Sequence, residues 1–266
     1  GNDDRLYLFE AVGMILGADD VDEATQIEYL KQVARMLCEQ IEQAVAGRAD
    51  DNNVQLATRA IVAIGNISKG FSERTCVATR PGTGEIFRSC LEMTLKCLDV
   101  WPRNSSVRNR VTAFLHRMIE LLGSSVTPYL APVVDKLRRN AGAVELRETL
   151  VLFNQLLATY KTMLAPFVVD ILPSLTSQVF STVAREYAQA SATAKGEIAL
   201  NTESVREASD LERTWLTTTS ALGSNGLLTL VFAGDNLQAS TELRESMINR
   251  LMDAATSHSM VSVRKV

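Results

Sequence analysis

Seven basic side chains between positions 103 and 139 are the densest chemistry in this sequence. Arg103, Arg108, Arg110, Arg117, Lys136, Arg138 and Arg139 are offset there only by Glu120 and Asp135, a net of +5 in a chain whose overall charge is −4. Arg103, Arg110 and Arg117 recur every seven residues. On a helix reaching back to Arg103 they share one face over roughly 20 Å. A row of guanidinium groups without aromatic platforms suits phosphate contacts, and a duplex polyanion such as structured RNA is read largely through phosphates and shape. Arg138 and Arg139 would end the partner helix, where cations also complement the helix dipole. The expected polyanion contacts are therefore Arg103, Arg108, Arg110, Arg117, Arg138 and Arg139. The plainer reading of the same residues, which charge and spacing alone favour, is a solvated face with helix C-terminal cations.

Other chemistry-bearing residues lead to no reaction. Cysteines stand at 38, 76, 90 and 97, and only two histidines occur, His116 and His258. No cysteine pair has the two-residue gap of a zinc knuckle, so reduced, buried thiols of a cytosolic or nuclear protein are expected and no metal site is. The acidic run Asp19-Asp20-Val-Asp22-Glu23 lacks the alternating oxygen ligands, central glycine and closing glutamate of a calcium loop and reads as a capping turn. Pro81-Gly-Thr-Gly84 lacks the Gly-Lys-Ser/Thr ending of a phosphate loop and reads as a turn. No Gly-x-Ser-x-Gly elbow is present. His116, beside Arg117, reads as a boundary histidine. Neither an enzyme nor a cofactor is expected. Residues 1–51 carry twelve acids and four bases, so the two ends of the charge distribution would select different partners.

The elements that must hold these residues are helical. Hydrophobic residues are 46% of the chain, aromatics only 6%, and six prolines are spread thinly; Leu and Ala abundance favours helix over sheet. Leu6, Phe9, Val12 and Leu16 recur at helical spacing after an N-cap at Asp3 or Asp4, and Ile27, Leu30, Val33, Leu37, Ile41 and Val45 form a second stripe. Further helices are expected over 54–71 and 83–100, with Trp101-Pro102 ending the latter. No run of 18 apolar residues suggests a membrane span.

The most informative comparison sets residues 111–122 against 149–160, an offset of 38. Phe114 then matches Leu152, Leu115 matches Phe153, Met118 matches Leu156 and Ile119 matches Leu157. Further on, Val126 meets Leu164, Pro128 meets Pro166, Tyr129 meets Phe167, and Val133 and Val134 meet Ile171 and Leu172. Prolines at those positions suit the first turn of a second helix. A period near 40 in a helix–turn–helix unit is that of HEAT and armadillo repeats, whose pairs bury their apolar faces only by stacking. The expected fold is all-α, an elongated α-solenoid of about five HEAT-type antiparallel pairs over 1–266, at about 4–46, 54–100, 104–140, 144–187 and 205–255. The segment 188–203, rich in Ala, Ser and Thr, is expected to be a flexible loop, 223–239 a broken or short helix, and 260–266 the start of another helix. The chain reads as a slice of a longer protein.

Particular segments also carry a resemblance. Asp4-Arg-Leu-Tyr-Leu-Phe-Glu-Ala-Val-Gly13, Ile67-Ser-Lys-Gly-Phe71, Ala78-Thr-Arg-Pro-Gly82, Val111-Thr-Ala-Phe-Leu-His-Arg-Met118, Leu121-Leu-Gly-Ser-Ser-Val-Thr-Pro-Tyr-Leu130 and Leu152-Phe-Asn-Gln-Leu156 resemble exportin-T, the tRNA exportin family of the importin-β superfamily, in its plant or algal form. The likeness is strong over 4–185 and thins to helical rhythm over 186–255. It implies a HEAT superhelix that binds tRNA together with GTP-bound Ran in the nucleus and releases both in the cytoplasm, with nucleoporins as further partners. It implies no membrane. No short family motif assigns tRNA contacts residue by residue, so the six arginines rest on charge alone. The rival functions are a karyopherin carrying protein cargo and a generic HEAT-repeat scaffold.

Overall fold

The computed structural model describes residues 4–71, 80–139, 141–193, 202–233 and 237–256. Cys76, His258, positions 194–201 of the expected loop and the expected 260–266 helix lie outside the described residues. Among the described residues the regular structure is all helical, with no strand, and is that of an all-α solenoid of the HEAT type. The helices are α1 (Asp4–Leu16), α2 (Glu23–Ala46), α3 (Asp51–Ser68), α4 (Pro81–Val100), α5 (Ser105–Leu122), α6 (Thr127–Arg138), α7 (Ala143–Tyr160), α8 (Ala165–Thr193), α9 (Glu203–Ser224), α10 (Leu227–Phe232) and α11 (Leu237–Thr256). They fall into two compact units, Gly1–Lys136 and Leu137–Val266.

In the first unit, acids start α2 and α3. Asp22 accepts from the Thr25 amide at 2.9 Å and Asp50 from the Asn53 amide at 3.0 Å, capping α2 and α3. The acidic turn is thus a cap, with Glu23 also accepting from the Gly82 amide at 3.3 Å. Capping by Asp50 explains why α3 begins three residues before the expected position 54. Pro81, expected in a turn, instead opens α4 as its first residue, where its missing N–H costs nothing.

Helix α1 lies across α3, α2 packs on α3 and α4, and α5 packs on α3 and α4. The α1–α3 crossing is made of backbone. A Cβ placed on Gly13 would stand 2.1 Å from the Ile67 carbonyl oxygen, and one on Gly17 2.0 Å from that of Gly70. The side-chain amide of Asn66 donates to the Leu6 carbonyl there at 3.3 Å. Two of the segments that carry the family resemblance therefore meet at this crossing. Helix α6 is tied to α4 by Tyr129 donating to Glu92 and by Lys136 to Asp99 at 2.7 Å.

In the second unit, α9 covers both α7 and α8, and α10 packs on α8, α9 and α11. Phe180 meets Trp215 edge-on at 4.7 Å, and Trp215 donates its indole N–H to Thr176 at 3.4 Å. Glu212, 1% exposed, pairs with Arg250 at 2.6 Å. The stretch Ala143–Ala192 is long and apolar enough to cross a membrane by length and composition. Its Leu146, Leu150, Phe153, Leu157, Leu172 and Val179 are nevertheless buried within the unit. Residues 188–193, expected in a loop, continue α8, and 227–232 form the short helix expected after Gly223.

The 38-residue offset is reproduced element by element. Helix α5 (Ser105–Leu122) matches α7 (Ala143–Tyr160), a 3-10 turn at Gly123–Val126 matches one at Lys161–Leu164, and α6 and α8 start at Thr127 and Ala165. Phe114, Leu115, Met118, Leu152, Phe153 and Leu156 are all buried. The turn's first residue has positive φ in both copies, Gly123 at 55° and Lys161 at 48°. Its amide returns to the helix, to Ile119 in one copy and Leu157 in the other.

Candidate nucleic-acid interface

Helix α5 carries the centre of the basic segment. Asn104 starts it by accepting from the Val107 amide at 3.0 Å. Val107, Val111, Phe114, Leu115, Met118 and Leu122 then turn inward at helical spacing. The cap at Asn104 leaves Arg103 outside the helix, so the expected row of three narrows to Arg110 and Arg117. Those two are two turns apart, about 10 Å along the axis.

The arginines divide by environment. Arg108 is 2% exposed, and its Nη1 donates to the Pro102 carbonyl at 3.2 Å, pinning the link between α4 and α5. Arg117 reaches across to the end of α3. Its Nη2 donates to the carbonyls of Ser68 at 2.7 Å and Phe71 at 2.9 Å, its Nε to the Ser68 hydroxyl at 3.2 Å, and its Nη1 to Glu120 at 3.1 Å. A guanidinium there adds charged donors to the Phe71 carbonyl and to the Ser68 carbonyl, which also accepts from the Phe71 amide at 3.1 Å, and complements the negative end of the dipole. Arg108 and Arg117, expected at a polyanion, thus donate to main-chain carbonyls of their own chain, which a fixed fork of donors suits.

Arg103 and Arg110 are exposed, with no ion pair among the described residues. Lys136 is paired with Asp99, which removes one more cation from the open set. Arg138 and Arg139 belong to the second unit. Arg138 is half-buried, its carbonyl accepting from the Gln178 amide at 2.7 Å, while Arg139 is exposed just beyond the helix end.

No chemistry gathers around these residues. Among the described residues no three His, Cys, Asp or Glu side chains cluster as metal ligands would. His116 is half-buried, and burial lowers its pKa against the opposing pull of Glu120, which favours the neutral ring at pH 7. Sequence reasoning missed the Arg147–Asp210 pair at 3.4 Å between α7 and α9, and the approach of the Cys38 and Cys90 sulfurs to 3.7 Å. Both need the register of helices distant in sequence, which periodicity does not contain.

Packed helices without a strand among the described residues define an all-α repeat scaffold of the HEAT type. A family model described as Exportin-T matches residues 2–254, and the chain belongs to that family. It is 31% identical to Exportin-T of Arabidopsis thaliana over 271 residues, covering 100% of this chain and 26% of the relative. It is 29% identical to that of Oryza sativa subsp. japonica, covering 99% and 26%. With Exportin-T of Danio rerio it shares 26% over 191 residues, covering 69% of this chain and 20% of the relative. The chain spans about a quarter of the length of its plant relatives.

Proposed function

We propose that this chain is a HEAT-repeat segment of a nuclear export receptor that carries tRNA with GTP-bound Ran from nucleus to cytoplasm, passing nucleoporins on the way. The observation that supports the reading most is the match to the Exportin-T family over residues 2–254. Charge is in keeping with it: an acidic chain would repel RNA, yet residues 103–139 reverse the sign. Within that segment we assign RNA contact to Arg103 and Arg110, with Arg139 as a separate contact. Arg108 and Arg117 brace the backbone beside Arg103 and Arg110.

The test is tRNA binding to the full-length protein with and without Ran-GTP, across several salt concentrations. Removing one arginine–phosphate interaction should lower the salt slope by slightly less than about one unit. An Arg103→Ala/Arg110→Ala variant is expected to bind more weakly and with a shallower slope, while melting like wild type. Unchanged affinity and slope would make both arginines a solvated outer face. Binding of a protein cargo instead of tRNA by the wild-type protein would overturn the reading as a whole.

A further inference from the structure

A groove of about 440 Å³ lies between α2 and α4. Ile27, Ala34, Ile86 and Met93 give it apolar walls, and both Cys38 and Cys90 line it. The two sulfurs are 3.7 Å apart although 52 residues separate them in sequence. Cys90 is 1% exposed; Cys38 is half-buried on the groove side. The chain therefore holds one reachable thiol with a second, sheltered thiol directly behind it.

We propose that Cys38 and Cys90 are a peroxide-oxidisable dithiol, Cys38 the attacking thiol and Cys90 the resolving one, closing to a disulfide that staples α2 to α4. This assigns a modification site independent of any cargo. The attack begins when the Cys38 thiolate bonds to one peroxide oxygen. The O–O bond breaks, and the leaving hydroxide takes a proton and departs as water. Cys38 is then a sulfenic acid. The Cys90 sulfur attacks the Cys38 sulfur, the S–S bond forms, the S–O bond breaks, and the hydroxyl leaves with the Cys90 proton as a second water. The two thiols lose two electrons in all, and one hydrogen peroxide becomes two waters.

Three features support the roles. Hydrogen bonding from Cys90 favours the Cys38 thiolate and lowers its pKa, against burial and Glu42, whereas Cys90 is pushed well up. Lys31 and Arg35 line the same groove from α2 and Glu85 from α4, so cations and one carboxylate share the approach. The sulfurs, on helices already packed together, must close from 3.7 Å to about 2.05 Å to bond. Cys97, by contrast, is buried away from any second thiol among the described residues and its pKa is pushed up to about 12, so it should stay inert.

Tryptic mapping can read the result directly, because Cys38, Cys76, Cys90 and Cys97 fall on separate peptides, 36–48, 75–88, 89–96 and 97–103. The chain is exposed to hydrogen peroxide, quenched, alkylated and weighed intact, then digested without reduction. The expected product has lost two hydrogens, shows a 36–48/89–96 cross-link, and reverts with dithiothreitol. A Cys76→Ser variant should form the same link. In Cys90→Ser the link should vanish and Cys38 should be trapped by a sulfenic-acid probe; circular dichroism checks its fold. Full alkylation of Cys38 and Cys90 after peroxide, or a link from 36–48 to 75–88, would overturn the assignment.

Discussion

Replacing Arg117 with methionine separates the two roles that the basic segment combines. Arg117→Met keeps an apolar stem of similar reach and removes the charge and every donor. The loss falls on two carbonyls at the end of α3, Ser68 at 2.7 Å and Phe71 at 2.9 Å, and on the Ser68 hydroxyl at 3.2 Å. Hydrogen bonds from a charged group contribute about 1.5–3 kcal/mol each, but one guanidinium makes all of these and they do not add. The side chain is 20% exposed, so water replaces part of what is lost. The Glu120 pair contributes little, since that carboxylate is 56% exposed. The expected destabilisation is about 2–4 kcal/mol. At about 2–4 °C per kcal/mol, the melt should fall by about 4–16 °C. Thermal unfolding followed by far-UV circular dichroism reads this, with Arg110→Met as the control. The exposed Arg110 should shift stability by no more than about 0.5 kcal/mol. If Arg117→Met melts with wild type, or Arg110→Met falls as far, then the division into holding and open arginines is wrong.

Gly13→Ala should destabilise the chain by about 1–3 kcal/mol or more, because its new methyl would meet the Ile67 carbonyl. Gly65→Ala, whose Cβ would sit 3.7 Å from Phe114, should be neutral or stabilising by comparison, and paired urea titrations decide. Lys161→Gly should stabilise by about 0.5–1 kcal/mol, since φ 48° suits glycine, and an unchanged midpoint would show that no strain resides there. His116 should make stability fall on acidification. Its folded pKa lies below the unfolded value near 6.5, so the unfolded chain binds the proton more readily and stability drops as pH falls from about 7 through the lowered value. His116→Gln should flatten that part of a melting-versus-pH profile; an unaltered slope would assign it to other groups.

The repeat was readable in the sequence because it is written three times over, in apolar spacing, in the Pro128/Pro166 pair and in the aromatic that follows each. Any one alone would match many helices. Helix starts were less readable. Asp50 and Pro81 are compatible with turn or first turn, and only the cap hydrogen bond or the packed neighbour decides. The arginines show the limit most clearly. Arg108, Arg110 and Arg117 are chemically identical, and their separation into buried, open and clamped depends on Pro102, on solvent and on the end of α3. Those neighbours are fixed by stacking, and a single helix's pattern does not contain them. The positive φ at Lys161 was hidden for the opposite reason: its glycine counterpart announces the turn at position 123, while the lysine conceals the same turn 38 residues later.

The crossing of α1 and α3 has a mechanical consequence. At Gly13, Gly17 and Gly70 main chain rests on main chain, with no side chain between to compress or change rotamer. Such a contact can roll or separate, but it has almost no elastic travel. The groove between α2 and α4 is the opposite case, two helices bridged by side chains around open space. Under load the first unit should therefore behave as a stiff hinge line at α1–α3 beside a compliant gap at α2–α4, and strain imposed on this unit would collect in the gap.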